Sequence, residues 1–250
     1  MKTILLCGGK GQRMQSGQDY PKPMARINGK PLIYHIMKIY SKYGFNEFIL
    51  PLGYKGEAIR DYFINYEEKN CNILKETAVN KITVLDDCDN FKVTMIDTGI
   101  ETMTGARIKR VSKYIDGDTF MVTYGDGLAN IDINKLLKCH NDNGKIVTLT
   151  GVVKQSQYGT LQVDGDIVNS FSEKETSDGI INGGFFVCNN EFLDYLSDDS
   201  SCVLEQEPLK ELVKQKQLGV YMHDGIWISV DTLKDLDLAN ELWRGYYETK

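Results

Sequence analysis

Thr3-Ile4-Leu5-Leu6-Cys7 runs straight into Gly8-Gly9-Lys10-Gly11-Gln12-Arg13, and nine positions past the arginine Lys22 stands between Pro21 and Pro23. An apolar run of this length that breaks into glycines predicts a buried strand delivering its backbone to a ligand. Glycine leaves no Cβ in the way, and successive exposed N–H groups form a concavity that holds anions. The two cations beyond it, Arg13 and Lys22, suit the same anion. The pattern is not a dinucleotide fingerprint, because Met14 stands where a third glycine or alanine is needed. Nor is it a P-loop, since no Gly-Lys-Ser/Thr follows. On these residues alone a phosphate cradle and an ordinary glycine turn are both open.

The 250 residues, 42% hydrophobic and 26% charged, suffice for one large α/β unit. A formal charge of −6 argues against nucleic acid as a partner, which asks for a basic face. It leaves room for a small phosphorylated ligand, which needs only a few local cations. No window approaches the roughly 20 apolar residues of a membrane span. The first apolar run is too short for a signal peptide, so a cytoplasmic protein is expected. The six cysteines (Cys7, Cys71, Cys88, Cys139, Cys188, Cys202) show no Cys-x-x-Cys and are read as reduced thiols. His35 falls inside an apolar helical pattern and is read as structural.

Working outward, Pro31 opens a helix to about Tyr43, with Leu32, Ile33, Ile36, Met37 and Tyr40 on its buried face. A strand at 48–52 and a helix at 57–66 follow, and this alternation predicts a parallel sheet with right-handed crossovers. From about 68 to 92 the periodicity lapses into an excursion with a strand near 82–85, the candidate contact of a homo-oligomer. Further strands are expected at 92–97, 120–124, 146–153 and 180–187, a hairpin near 158–173, and helices at 133–143, 205–216 and up to Trp243. Glycines interrupt the 180–187 strand at Gly183-Gly184, as where a ligand or another backbone comes close.

Gly125-Asp126-Gly127 closes the apolar strand Phe120–Tyr124. Ligands of open parallel sheets bind beyond the carboxyl ends of the strands, and a carboxylate there suits a hard cation such as Mg2+. Asp-Gly is also a common turn, so both readings stand. Asp231 is either the cap of the last helix or a second carboxylate for the same cation. Cations with a carboxylate pair fit in-line transfer at phosphorus, where catalysis is mostly positioning and charge neutralisation. No Ser-His-Asp or Cys-His arrangement competes.

Gly8-Gly9-x-Gly11-x-Arg13 followed by Pro21-Lys22-Pro23-Met24 resembles the signature of the sugar-phosphate nucleotidyltransferases. The likeness extends, in order, through Lys30–Tyr40, Gly53-Tyr54-Lys55-Gly56, Asp97-Thr98-Gly99, Met103–Val111, Tyr124–Gly127, Ile181–Val187 and Glu205–Leu209. It points to the branch that uses CTP and glucose 1-phosphate. The resemblance implies a single domain over 1–250, an α/β Rossmann-like three-layer fold with a mixed, mostly parallel central sheet. It implies that Leu6, Cys7, Gly8, Gly9 and Lys10 line base and ribose, that Gly11, Gln12 and Arg13 hold the triphosphate, and that Thr104, Arg107 and Gly125 complete the nucleotide pocket. Lys22 would lie by the α-phosphate, and Asp126 and Asp231 would hold Mg2+. Tyr158, Gly159, Glu173, Lys174, Asn182 and Gly183 would face the phosphorylated acceptor. The implied reaction moves CMP from CTP to a sugar 1-phosphate and releases pyrophosphate, for a surface polysaccharide. UTP, another acceptor, or nucleotide binding without catalysis are the alternatives.

The chain departs from that pattern at Gln12, in the short loop 14–20, at Ala25 and Arg26, at 157–161, in lacking a proline after Lys174, and at Ile228-Ser229-Val230 before Asp231. Most departures fall on the acceptor side, which leaves the acceptor open.

Overall fold

The computed structural model describes residues 1–9, 20–153, 160–164, 167–172 and 179–244. Seven strands make the main sheet: β1 (Thr3–Leu6), β2 (Glu47–Leu52), β3 (Lys92–Asp97), β4 (Thr119–Tyr124), β5 (Val147–Val153), β6 (Ile180–Asn189) and β7 (Leu218–His223). Their spatial order is β7-β5-β6-β4-β1-β2-β3. β1 is parallel to both β2 and β4, β2 to β3, and β5 to β7, while β6 runs antiparallel between β4 and β5. The sheet is therefore mixed and mostly parallel, as expected.

Helices α1 (Leu32–Ser41), α2 (Gly56–Ile64), α3 (Tyr66–Asn70), α4 (Thr104–Val111), α5 (Ile133–Asn143), α6 (Glu207–Lys214) and α7 (Leu233–Leu242) are divided between the two faces. The period of two along a strand does the dividing. Ile4 and Leu6 of β1 join Phe120, Val122 and Phe186 against Ile108 of α4 and Leu212 of α6. Leu5 joins Phe48, Met121 and Phe185 against Ile33, Ile36 and Tyr40 of α1, Leu136 of α5 and Ala239 of α7. The Tyr40 ring stacks on Phe185 with centroids 6.0 Å apart and meets Phe48 edge-on at 6.4 Å. Helix α1 begins one residue later than expected, because Pro31 is extended and pairs with Arg26 in a short hairpin. The glycine stop is where the sequence puts it, with Gly44 at φ +85°. His35 is buried with Nε2 2.8 Å from the Ile27 carbonyl, a structural role.

The strand order makes β1 a switch point. The chain steps from β1 to β2 and β3 on one side and then returns to place β4 on the other. Crossovers diverge there, so a crevice opens between the carboxyl ends of β1 and β4. The parallel register Leu6↔Tyr124 sets those two ends level. β6 runs the other way, so it is the start of that strand, at Asn182 and Gly183, that reaches the same edge.

The excursion contains more order than its sequence suggests. Ile73–Glu76 and Lys81–Val84 pair antiparallel as a hairpin outside the main sheet, of which only the second strand was expected. Leu74, Ile82, Val84 and Leu85 are exposed on it. At its neck Cys71 and Cys88 form a disulfide with Cα atoms 5.7 Å apart. This corrects the expectation of six reduced thiols. The hairpin folds the intervening segment back on itself, and nothing in the spacing of the two cysteines marked that return. The hairpin at 160–164 and 167–172 is antiparallel, as expected.

Phe185 is fully buried at the centre of the larger cluster. Phe185→Ala should lower the stability by about 3–5 kcal/mol, read as a fall in the urea midpoint with an unchanged slope.

Candidate active site

A cavity of about 360 Å³ lies at the switch point. Leu6 to Gly9 form one wall, Tyr124 to Asp126 a second, the segment from Ile100 to Thr104 a third, and Lys22 and Pro23 close the side.

Each element reaches this point for a local reason. Lys22 sits in a single tight turn, Lys22–Met24, closed by the Met24 amide donating to the Pro21 carbonyl at 2.8 Å. Pro23 is buried against Gly125, where an added Cβ would lie 3.2 Å from the proline ring and 2.6 Å from the Leu6 carbonyl. Gly125 is thus needed for the close approach of β4 to β1. Trp227–Ser229 pairs antiparallel with Gly127–Ala129, and the Val230 amide donates to the Asp126 carbonyl at 2.8 Å. That pairing carries Asp231 across from the far end of the chain to Asp126.

The result is a carboxylate pair around one cation. The Lys22 ammonium donates to Asp126 Oδ2 at 3.1 Å and to Asp231 Oδ1 at 2.6 Å, and the Ser229 hydroxyl holds Asp231 Oδ2 at 2.7 Å. Asp231 is therefore not the cap of α7. Thr232 is, in a capping box with Asp235. Burial works against the Lys22 ammonium, but the Asp126 and Asp231 carboxylates outweigh it and raise its pKa above the ordinary 10.5. The donor set also fits a divalent cation: two hard carboxylates, from segments far apart in sequence, already converge on a single positive charge. Among the described residues no group of three or more such ligands forms a closed metal site. Asp126 and Asp231 alone would leave most positions on an ion to substrate oxygens and water, as at phosphoryl-transfer sites.

Arg107 does something different from what its charge suggests. Its side chain is buried, and the guanidinium donates to the carbonyls of Gly8 (2.9 Å), Leu52 (3.0 Å) and Ile100 (3.2 Å) and to the Thr98 hydroxyl (2.6 Å). It lines the cavity while holding two of its backbone segments, at Gly8 and Ile100. Gly8 and Gly53 clear the space, since a Cβ on either would lie 2.2 and 2.6 Å from Arg107 Nη1. Burial pushes the Cys7 thiol up to about 12, so it is no nucleophile.

On the opposite rim Thr104 donates to Glu205 Oε2 at 3.0 Å, Tyr124 donates its hydroxyl to Glu205 Oε1, and Asn182 donates to the Tyr124 oxygen at 3.1 Å. Burial, with Glu205 beside it, raises the Tyr124 pKa, so the hydroxyl keeps its proton. Trp227 Nε1 donates to the Gly183 carbonyl at 2.8 Å. Tyr124 and Glu205 went unassigned in the sequence, although both stand in segments carrying the family likeness. Tyr124 had a signal, its place directly before Gly125-Asp126. The loop Ile100–Met103 had none. Lys10, Gly11, Gln12, Arg13, Tyr158, Gly159, Glu173 and Lys174 lie outside the described residues.

The sequence model for nucleotidyl transferases matches residues 2–243. The chain belongs to that family. It is 48% identical over 244 residues to a protein of Bacillus subtilis (strain 168) named probable glucose-1-phosphate cytidylyltransferase, covering 97% of this chain and 96% of that one. It is 41% identical over 247 residues to glucose-1-phosphate cytidylyltransferase of Salmonella typhi, with 97% and 96% covered. Among solved structures, HddC from Yersinia pseudotuberculosis superimposes with a TM-score of 0.71 at 29% identity, covering 97% of this chain and 99% of that one. A second structure of HddC, complexed with GMP-PN, gives 0.70 at 28% identity and the same coverage.

Two outcomes test this geometry. Arg107→Met removes buried charge-assisted hydrogen bonds to three carbonyls and a hydroxyl and should cost about 3 kcal/mol or more in urea unfolding. The Lys22 contact has a pH signature. Its folded-state pKa is the higher one, so its stabilisation is complete below the ordinary 10.5 and is lost as pH rises through the folded value. The stability gap between wild type and Lys22→Met should be flat from neutral pH to about 10 and shrink above that.

Proposed function

We propose that the chain is a Mg2+-dependent cytidylyltransferase that transfers CMP from CTP to a sugar 1-phosphate, glucose 1-phosphate foremost, giving a CDP-sugar and pyrophosphate. The observation that carries this is the 48% identity to the Bacillus subtilis protein across nearly the whole of both chains. The Salmonella typhi relative supports it at 41%. The geometry is compatible: a glycine-walled cavity at the switch point, bordered by one lysine and a carboxylate pair.

In this reading an oxygen of the acceptor's phosphate forms the new bond to the α-phosphorus of CTP. The bond from that phosphorus to the oxygen bridging to the β-phosphate breaks, and its electron pair leaves with pyrophosphate. The enzyme's task is to align the two phosphates and offset their charge. Gly8, Gly9 and Gly125 admit the nucleotide because they carry no side chain. Lys22, which lines the cavity, offers its ammonium to the α-phosphate. Its raised pKa keeps it charged throughout the physiological range. Asp126 and Asp231 would hold Mg2+, which supplies charge neutralisation at the phosphates when bound. Asn182 and Gly183, near the start of β6, would face the acceptor. The protein acts in the cytoplasm, in nucleotide-sugar supply for a surface polysaccharide, as a homo-oligomer that meets its copies through the exposed 73–85 hairpin.

Incubation with CTP, Mg2+ and glucose 1-phosphate should release pyrophosphate, and chelation of the metal should stop it. Side-by-side assays with the four triphosphates and a panel of sugar phosphates settle both specificities. No turnover of CTP with any acceptor would sink the proposal and leave nucleotide binding without catalysis. Lys22→Ala should lower kcat by about 100-fold or more, as for the loss of one preorganised charge-stabilising donor. The fold should remain intact by circular dichroism.

A further inference from the structure

A second recess, of about 410 Å³, shares no lining residue with the cavity at the switch point. It lies between the Arg26–Pro31 hairpin and helices α2 and α3. Three cations line it, Arg26, Lys30 and Lys69, against one carboxylate, Asp61. Lys69 is paired with Asp61. The other two cations have no carboxylate within ion-pair distance among the described residues. Arg26 donates to the Gly29 carbonyl at 2.9 Å. Lys30 donates to the Asn70 amide oxygen at 2.9 Å and lies 5.6 Å from the centre of the Tyr34 ring.

Lys30 is held there on purpose-built geometry. Asn70 Oδ1 also accepts from the Tyr62 hydroxyl at 3.0 Å, and Asn70 Nδ2 donates to the Tyr66 carbonyl at 2.9 Å, which fixes the amide's orientation. The disulfide at the adjacent Cys71 fixes the backbone. A lysine ammonium held by one neutral oxygen has two further N–H donors to offer. In a chain of net charge −6, a recess with an excess of two positive charges stands out as a place for an anion. Tyr20 and Tyr62 add ring surface to its wall, as an organic ligand requires.

We propose that this recess is a second anion-binding site, distinct from the catalytic cavity, which takes a small phosphate ester with the phosphate between Arg26 and Lys30 and its organic part against the tyrosines. The guanidinium supplies directional donors and the ammonium a point charge. Tyr20 and Met24, both in the wall, flank Pro21-Lys22-Pro23, so a ligand seated here leans on the turn that carries the catalytic lysine. The site would regulate rather than react, since among the described residues no thiol, histidine or carboxylate pair lines it.

Calorimetric titration of the full chain with glucose 1-phosphate tests it, without CTP or metal. Two saturable events per chain are expected. In the Arg26→Gln/Lys30→Gln variant one of them should weaken by about tenfold or more, while pyrophosphate release in the standard assay persists. In Lys22→Met the same event should remain as in wild type. Asp61→Asn, which frees Lys69, should tighten it. Inorganic phosphate should bind there more weakly than the ester. A single event in wild type, a second event indifferent to Arg26 and Lys30, or inorganic phosphate binding as tightly as the ester would each overturn the proposal. The outcome does not depend on which triphosphate the enzyme uses.

Discussion

The buried guanidinium of Arg107 ties the catalytic edge of the sheet together. A cation near the start of a helix is opposed by the helix macrodipole, and burial adds to the cost by lowering its pKa. Both are offset because Arg107 is surrounded by acceptors where parallel strands end. Gly8 follows β1, Leu52 ends β2, and Thr98 and Ile100 follow β3. One planar fork with several fixed donors reaches all of them at once, which a lysine cannot do. The Gly8 and Leu52 carbonyls also accept the Tyr54 and Thr98 amides, so the guanidinium joins strand ends that are already hydrogen-bonded. The positive charge lines the cavity beside Gly8, so it also biases the cavity toward anions.

The same economy governs Lys22. Two carboxylates brought within reach of each other repel unless a cation lies between them, and the lysine does that in the absence of substrate. The arrangement aims Asp126 and Asp231 at a common point. In the proposed reaction the two carboxylates would hold a divalent ion from positions already assembled, and Lys22 would turn from them to the phosphate. The tight proline-flanked turn limits how far it can travel, so the exchange costs little side-chain order.

How much of this could be read from the residues depended on how local each feature was. The strands at 92–97 and 120–124, helix 133–143 and the glycine stop at Gly44 follow from period and punctuation within a few residues. Asp126 was visible because its flanking glycines mark a strand end. Asp231 was ambiguous, because a cap and a ligand look alike until the 227–229 strand is seen to pair with 127–129. Arg107 reads through the resemblance as completing the nucleotide pocket, since nothing in its neighbours tells that its partners include the carbonyls of Gly8 and Leu52, far earlier in the chain. The Cys71–Cys88 pairing and the first strand of the excursion hairpin were hidden for the same reason: both depend on a return of the chain that polar, exposed residues do not announce.

The antiparallel strand β6 explains why the two rims of this edge are mechanically linked. Had it run parallel, its far end would approach the cavity with a loop behind it. Running the other way, it offers Asn182 on a strand already locked to β4 and β5, and Asn182 donates to Tyr124. Tyr124 in turn shares Glu205 with Thr104, so residues from β4, β6, α4 and the approach to α6 hold one another through a single carboxylate. The Tyr124 hydroxyl keeps its proton, so the chain of donors has a fixed direction from Asn182 to Glu205. A displacement of Asn182 is therefore transmitted to Thr104 through three hydrogen bonds rather than through diffuse packing, and substitutions at these positions should be judged together.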